Sequence, residues 1–240
     1  MSLFNLLKAN ERGEADYGWL KAKYSFSFSH YYNPKRINFG VLRVLNNDII
    51  AAGMGFGTHP HDNMEIITIP LSGALAHQDS LGNGTTINAG DIQVMSAGTG
   101  IKHSEYNASE TEPCELLQIW LFPNQKNVTP RYDQITYKDF YQKNVFNEIL
   151  SPEKKQNTVW INQKAWFNLV TFDKEFLSTY QLNDKNNGVY LMVISGQWSI
   201  NEQILNDKDA IEFSKTNNIN IKSLSENAQI LIMEFPLEVQ

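Results

Sequence analysis

Cysteine is nearly absent. Cys114 stands alone, so no disulfide can form within the chain. It precedes the apolar run Leu116, Leu117, Ile119, Trp120, Leu121 and Phe122, which marks it as a small buried hydrophobe rather than a nucleophile. Basic runs are absent as well. The net charge is -6, and nothing provides the electrostatic footprint of direct nucleic-acid binding. No apolar stretch approaches the ~20 residues needed to cross a bilayer as a helix. The first residues, Met-Ser-Leu-Phe-Asn-Leu-Leu-Lys, lack the basic start and small-residue cleavage site of a signal peptide. The expected address is the cytoplasm, with no membrane partner. Histidine is scarce too, with 5 in 240 residues.

That scarcity makes its distribution informative. Three of the histidines fall in two short clusters, His59-Pro60-His61 and His103-Ser104-Glu105. Side chains two apart in an extended strand share a face. His59 therefore lies with His61, and His103 with Glu105. Two such strands laid together bring three imidazoles and a carboxylate to one point, a shell suited to a divalent transition metal with open positions. Glu65 has the right parity to serve as the carboxylate as well. His30 and His77, each solitary, read as core or surface residues. The glycine-rich approach Gly53 to Gly57 lacks the Gly-Lys-Ser/Thr ending of a phosphate loop.

The rest of the chain reads as short strands between turns. Tyr24 to Ser29 alternates aromatic and small polar residues, predicting a half-buried strand. Val41 to Leu45 predicts another, ended by Asn46-Asn47-Asp48. Gly/Asn/Asp turns recur through residues 72–100, the rhythm of an antiparallel sandwich or barrel. Residues 124–142 are polar with scattered tyrosines and read as an interdomain connection, with a helical turn near Lys138 to Lys143. The second half weakly echoes the first. Ile69 to Gly73 corresponds to Met192 to Gly196, and Leu116 to Phe122 corresponds to Ile230 to Phe235. The expectation is an all-β chain of two tandem barrels, residues 1–140 with the linker and residues 141–240. No histidine follows His103, so only the N-terminal barrel can hold the site.

The spacing of the clusters resembles the cupin motifs. Gly53, His59, His61, Glu65 and Gly73 match the first motif, with one extra residue before Gly73. Gly90, Gly98, His103 and Asn107 match the second, with Ser96 in place of proline and two residues inserted before His103. These departures are similar to those of one cupin family, the pirins, and the similarity runs along nearly the whole chain. Its most specific pieces are Ala15 to Leu20, Gly57-Thr58-His59-Pro60-His61, Met64 to Thr68, Asp79 to Asn83, Ser96 to Gly100 and His103-Ser104-Glu105.

The resemblance implies two double-stranded β-helix (jelly-roll) barrels, the second degenerate. It implies that His59, His61, His103 and Glu105 are the metal ligands and leaves Glu65 outside the first sphere. It implies one divalent metal, Fe(II) foremost, with Ni, Mn, Cu, Co and Zn as alternatives. The implied activity is that of a quercetin 2,3-dioxygenase: O2-dependent opening of a flavonol-like aromatic substrate with release of CO, Glu105 acting as base. Other implied readings are a cupin enzyme on another small substrate, and a metal-dependent regulator acting through a protein partner.

Overall fold

The computed structural model describes residues 3–239. Its strands form two barrels, each made of a seven-stranded sheet facing a four-stranded one. In the first barrel the large sheet runs, edge to edge, Arg131–Thr136, Asp91–Ser96, Glu65–Ser72, Cys114–Leu121, Leu42–Ile50, Leu20–Tyr24 and Gly13–Asp16. Its small sheet runs Gly55–His61, Ile101–Asn107, Ala74–Asp79 and Gly84–Asn88. The second barrel repeats the plan with residues 147–236, and its large sheet is extended by the first strand of the chain, Leu3–Leu7, paired with Ala210–Ser214. Among the described residues no helix is long and apolar enough to cross a membrane.

The two large sheets pack back to back. Ile67, Ile69, Ile92, Val94, Leu117 and Ile119 of one meet Phe167, Leu169, Met192, Leu231 and Met233 of the other in a continuous core. Strands with both faces buried read as near-continuous apolar runs, as Leu116 to Phe122 does apart from Gln118. Polar contacts reinforce this junction, with Arg36 Nη1 2.7 Å from Glu212 Oε1 and Lys208 Nζ 2.7 Å from Glu115 Oε1.

The interiors differ. The second barrel is filled by Phe172, Trp198, Ile200, Phe213, Ile221, Ile230 and Ile232, all buried. The first barrel carries polar side chains on its inner face. Asn46, Gln118, Thr68 and Gln93 lie directly opposite one another across four neighbouring strands. Where the first barrel has Gln118, the corresponding stretch of the second has Ile232. A polar lining has a use around a bound group, whereas an apolar one closes the barrel as core.

Three local expectations are corrected. The strand that begins at Leu20 ends at Tyr24, and Ser25 to Ser29 is irregular, held by loop bonds such as Ser27 N to the Arg36 carbonyl. Asn46-Asn47-Asp48 does not end a strand but lies within Leu42–Ile50. Residues 131–136 are not linker, because Arg131–Thr136 pairs in register with Asp91–Ser96 as a sheet edge. In the last two cases polar composition suggested a turn or a connection where the chain in fact continues as an interior or edge strand.

Candidate metal centre

The site rests on one strand pair. Gly55–His61 runs antiparallel to Ile101–Asn107 with His103 opposite His59 and Ile101 opposite His61. Between His103 and Glu105 the register slips at a bulge, which sets Glu105 opposite Phe56. Bulges re-aim side chains beside sites of function. Close approach of the two backbones depends on Gly55. A Cβ there would meet the Glu105 carbonyl oxygen at 2.2 Å, so any other residue would wedge apart the strands that carry the histidines.

The pairing brings three imidazoles together. Ring centroids lie 4.8 Å apart for His59 and His61, 4.4 Å for His59 and His103, and 4.9 Å for His61 and His103. One nitrogen from each falls within 4.8 Å of the others. His59 Nδ1 is 2.8 Å from the Gly57 carbonyl oxygen. A carbonyl only accepts, so Nδ1 carries the proton and Nε2 presents its lone pair. His103 is buried, and neither ring nitrogen has a hydrogen-bond partner. Burial, then the neighbouring His59, His61 and His77, holds its pKa down to about 2. Burial, then His59, lowers His61 to about 4, against a smaller opposing effect of Asp62. Both rings are neutral at physiological pH, the form that binds metal. Neutral imidazoles with unsatisfied nitrogens fit a transition metal and do not fit the all-oxygen preference of calcium or magnesium.

Glu105 is buried and lines the same cavity as His59 and His61, but the converging group itself comprises only the three histidines. Its Oε2 accepts from Gln118 Nε2 at 3.1 Å and its Oε1 from Thr68 Oγ1 at 3.4 Å. Burial raises its carboxyl to about 7, against the lowering effect of those two bonds. Glu65 is turned elsewhere. It accepts from Ser96 Oγ at 2.7 Å and from Asn162 Nδ2 at 3.0 Å, tying the first barrel to the second.

A cavity of about 500 Å³ opens from the histidines. His59, His61, Glu105 and Gln118 line one part of it and Trp19, Phe28, Phe56 and Trp120 another. Trp19 meets Phe56 edge-on at 5.2 Å, Phe28 meets Trp120 at 5.4 Å, and His61 abuts Trp120 at 4.9 Å. Such walls accept a planar ring, with polar groups confined to a few points.

Three pocket or near-site residues were missed in the sequence. His77 stands opposite Glu105 on the adjacent strand, with its ring 5.3 Å from His103 and 5.0 Å from Tyr132. Only 3% of it is exposed, so it is neither a surface residue nor part of an apolar core. Asn46 and Asp48 also line the cavity. Their spacing of two was a usable signal, hidden by the habit of reading Asn-Asn-Asp as a turn. His30 is exposed and takes no part in the site.

Comparison with known proteins agrees with this architecture. A family model described as Pirin matches residues 6–121, and one described as Quercetinase C-terminal cupin domain matches residues 148–235. The chain is 40% identical over 231 residues to a quercetin 2,3-dioxygenase of Escherichia coli, covering 96% of this chain and 98% of that one. It is 38% identical over 223 residues to a pirin-like protein of Caulobacter vibrioides, covering 92% and 95%. Among solved structures it resembles the bacterial pirin YhhW of Escherichia coli in complex with nickel(II), with a TM-score of 0.92, 39% identity, and coverage of 98% and 99%.

Proposed function

The chain belongs to the pirin family, and on that premise we propose that it is a metal-dependent dioxygenase that opens a flavonol-like ring with O2. What supports this reading is that His59, His61 and His103 present nitrogens within 4.8 Å of one another, and that His59, His61 and the buried Glu105 line one aromatic-walled cavity. In this reading His59, His61, His103 and Glu105 hold one divalent ion, Fe(II) foremost. When bound, the metal supplies a Lewis-acidic, redox-capable centre.

The chain's own residues supply the rest. Glu105 takes the proton of the flavonol 3-hydroxyl at a carboxylate oxygen. Burial, which raises the metal-free carboxyl to about 7, favours its taking up a proton. Gln118 and Thr68 fix the carboxylate's orientation from behind. Trp19, Phe28, Phe56 and Trp120 hold the planar ring and keep bulk water from the activated anion. The balance closes without a reductant: both oxygen atoms of O2 enter the ring-opened ester, and C3 leaves as CO with its own former hydroxyl oxygen.

The test is direct. With Fe(II) restored and O2 present, the visible absorbance of quercetin decays and CO is released in proportion. Absence of turnover across Fe, Ni, Mn, Cu, Co and Zn would end the flavonol reading and favour another small substrate, or a regulatory role through a protein partner.

The same ligand set gives a pH signature. Below about 7 the native Glu105 carboxyl holds its proton, and a cation binding there must expel it. Metal affinity therefore climbs by up to about tenfold per pH unit as pH rises toward 7, and this contribution levels off above it. Calorimetry in two buffers of different ionisation enthalpy should count one more proton released by wild type than by Glu105→Gln between pH 5.5 and 7. Equal proton release from both would remove Glu105 from the ligand set.

A further inference from the structure

Inside the first barrel, Leu42–Ile50 contributes a feature that the metal centre does not use. Asn46 and Asp48, two apart and so on one face, both line the cavity that holds His59 and His61. Their strand belongs to the large sheet, facing the small sheet that carries the histidines. Asn46 is 2% exposed and Asp48 5%. The Oδ1 atom of each is sealed from the surface without a hydrogen-bond partner. Asn47, between them, faces the other way and is satisfied by Glu115 Oε1 at 3.0 Å and the Leu116 carbonyl at 3.3 Å.

The surroundings do not complete the pair. Gln118, directly across from Asn46, gives its amide to Glu105. Ala22 and Leu116, the neighbours of Asp48 on either strand, have no side-chain donors. Arg12 acts on Asp48 electrostatically but forms no hydrogen bond to it: its Nη2 donates to the Lys23 carbonyl at 3.1 Å and its Nε has no partner. Buried acceptors are nearly always paired in folded proteins, so two unpaired ones on residues that line one cavity call for donors from what fills it.

We propose that Asn46 and Asp48 form a hydroxyl-reading subsite, which selects planar aromatic ligands carrying hydroxyl donors on the part of the molecule that faces the large sheet. The proposal rests on the dioxygenase reading for the ligand's position, and it deepens that reading by naming what distinguishes one ring compound from another. Trp19, Phe28, Phe56 and Trp120 grip any flat ring alike and cannot supply this discrimination. A site built to receive an O–H rejects an analogue lacking it far more sharply than an apolar wall rejects a change of size, because the buried acceptor is then left unpaired.

The experiment is equilibrium binding to metal-loaded protein without O2, so that nothing turns over. Quercetin is compared with 3-hydroxyflavone, which keeps the metal-directed hydroxyl but lacks the outlying ones. Wild type should bind quercetin at least about tenfold more tightly. Asp48→Asn and Asn46→Ala should lower quercetin affinity by about tenfold each and leave 3-hydroxyflavone affinity unchanged. Metal content of one ion per chain and an unshifted melting midpoint certify each variant, and Asp48→Asn keeps the side chain's shape should the alanine variant fold poorly. Equal loss of both ligands, or no loss of either, overturns the subsite. If wild type binds neither flavonol, the flavonol reading falls by itself. Catechol against anisole then decides the subsite: a catechol preference that vanishes in Asp48→Asn upholds it, and no preference overturns it.

Discussion

Replacing His59 and His61 together by alanine strips the protein of its metal while leaving it folded. The two residues supply two of the three clustered imidazoles, and no other histidine among the described residues stands with an equivalent nitrogen in the cluster. Binding free energies of closed metal sites are roughly 10–16 kcal/mol, so loss of half the donors lowers affinity by at least a thousandfold. Both side chains sit at the partly exposed mouth of the barrel, so little core is lost. Two measurements separate binding from folding. Elemental analysis should give about one ion per wild-type chain and none in the variant. Added metal should raise the melting midpoint of wild type and leave that of the variant unmoved, because an ion that binds only the native state stabilises it by mass action. A variant that keeps a full complement of metal would end the site assignment.

Glu234→Gln should be the most damaging single change outside the site. Glu234 is fully buried in the second barrel. It accepts from Tyr180 Oη at 2.8 Å, from the Asn183 and Asp184 backbone N–H groups at 2.9 Å each, and from the Asn183 and Asn187 side-chain amides at 2.9 and 2.8 Å. One carboxylate thus gathers the donors of a whole connecting loop. Glutamine keeps the shape but turns a donor toward donors, leaving two or three of them buried and unpaired. The expected loss is about 3–5 kcal/mol. For a chain of this length that lowers the melting midpoint by roughly 10 °C. Tyr180→Phe removes one bond to Glu234 and a long 3.5 Å contact from Asn183 Nδ2, and should cost only about 1 kcal/mol. At low temperature the metal content of Glu234→Gln should match wild type, since the first barrel supplies the site residues. An unchanged midpoint would show that the network contributes little.

The same contrast explains why one barrel holds a site and the other does not. Ile230 and Ile232 fill the second interior, and Glu234 is satisfied by Tyr180 and by the loop from Asn183 to Asn187. The first barrel leaves polar atoms of His77, Gln93, His103, Asn46 and Asp48 without partners. The cost of those unpaired groups is borne at the place where ligands are expected, as is common at functional sites.

Much of this was legible along the chain. The side-chain period of a strand is a local property, so His59 with His61 and His103 with Glu105 could be put on common faces before any fold was known. The echo of Leu116 to Phe122 in Ile230 to Phe235 announced a second barrel, and the missing histidines announced its different interior. Parity along the chain could not choose between Glu65 and Glu105. Tertiary structure turns Glu65 to Ser96 and Asn162 at the junction, whereas Glu105 lines the cavity with His59 and His61. Nor could spacing find His77, which meets His103 only through pairing of strands whose partners lie 24 to 32 residues apart in the chain. Asn46 and Asp48 looked like turn residues because polarity in a sequence usually means solvent. Only the closing of the sheets made that polarity an interior, and so made a pocket of it.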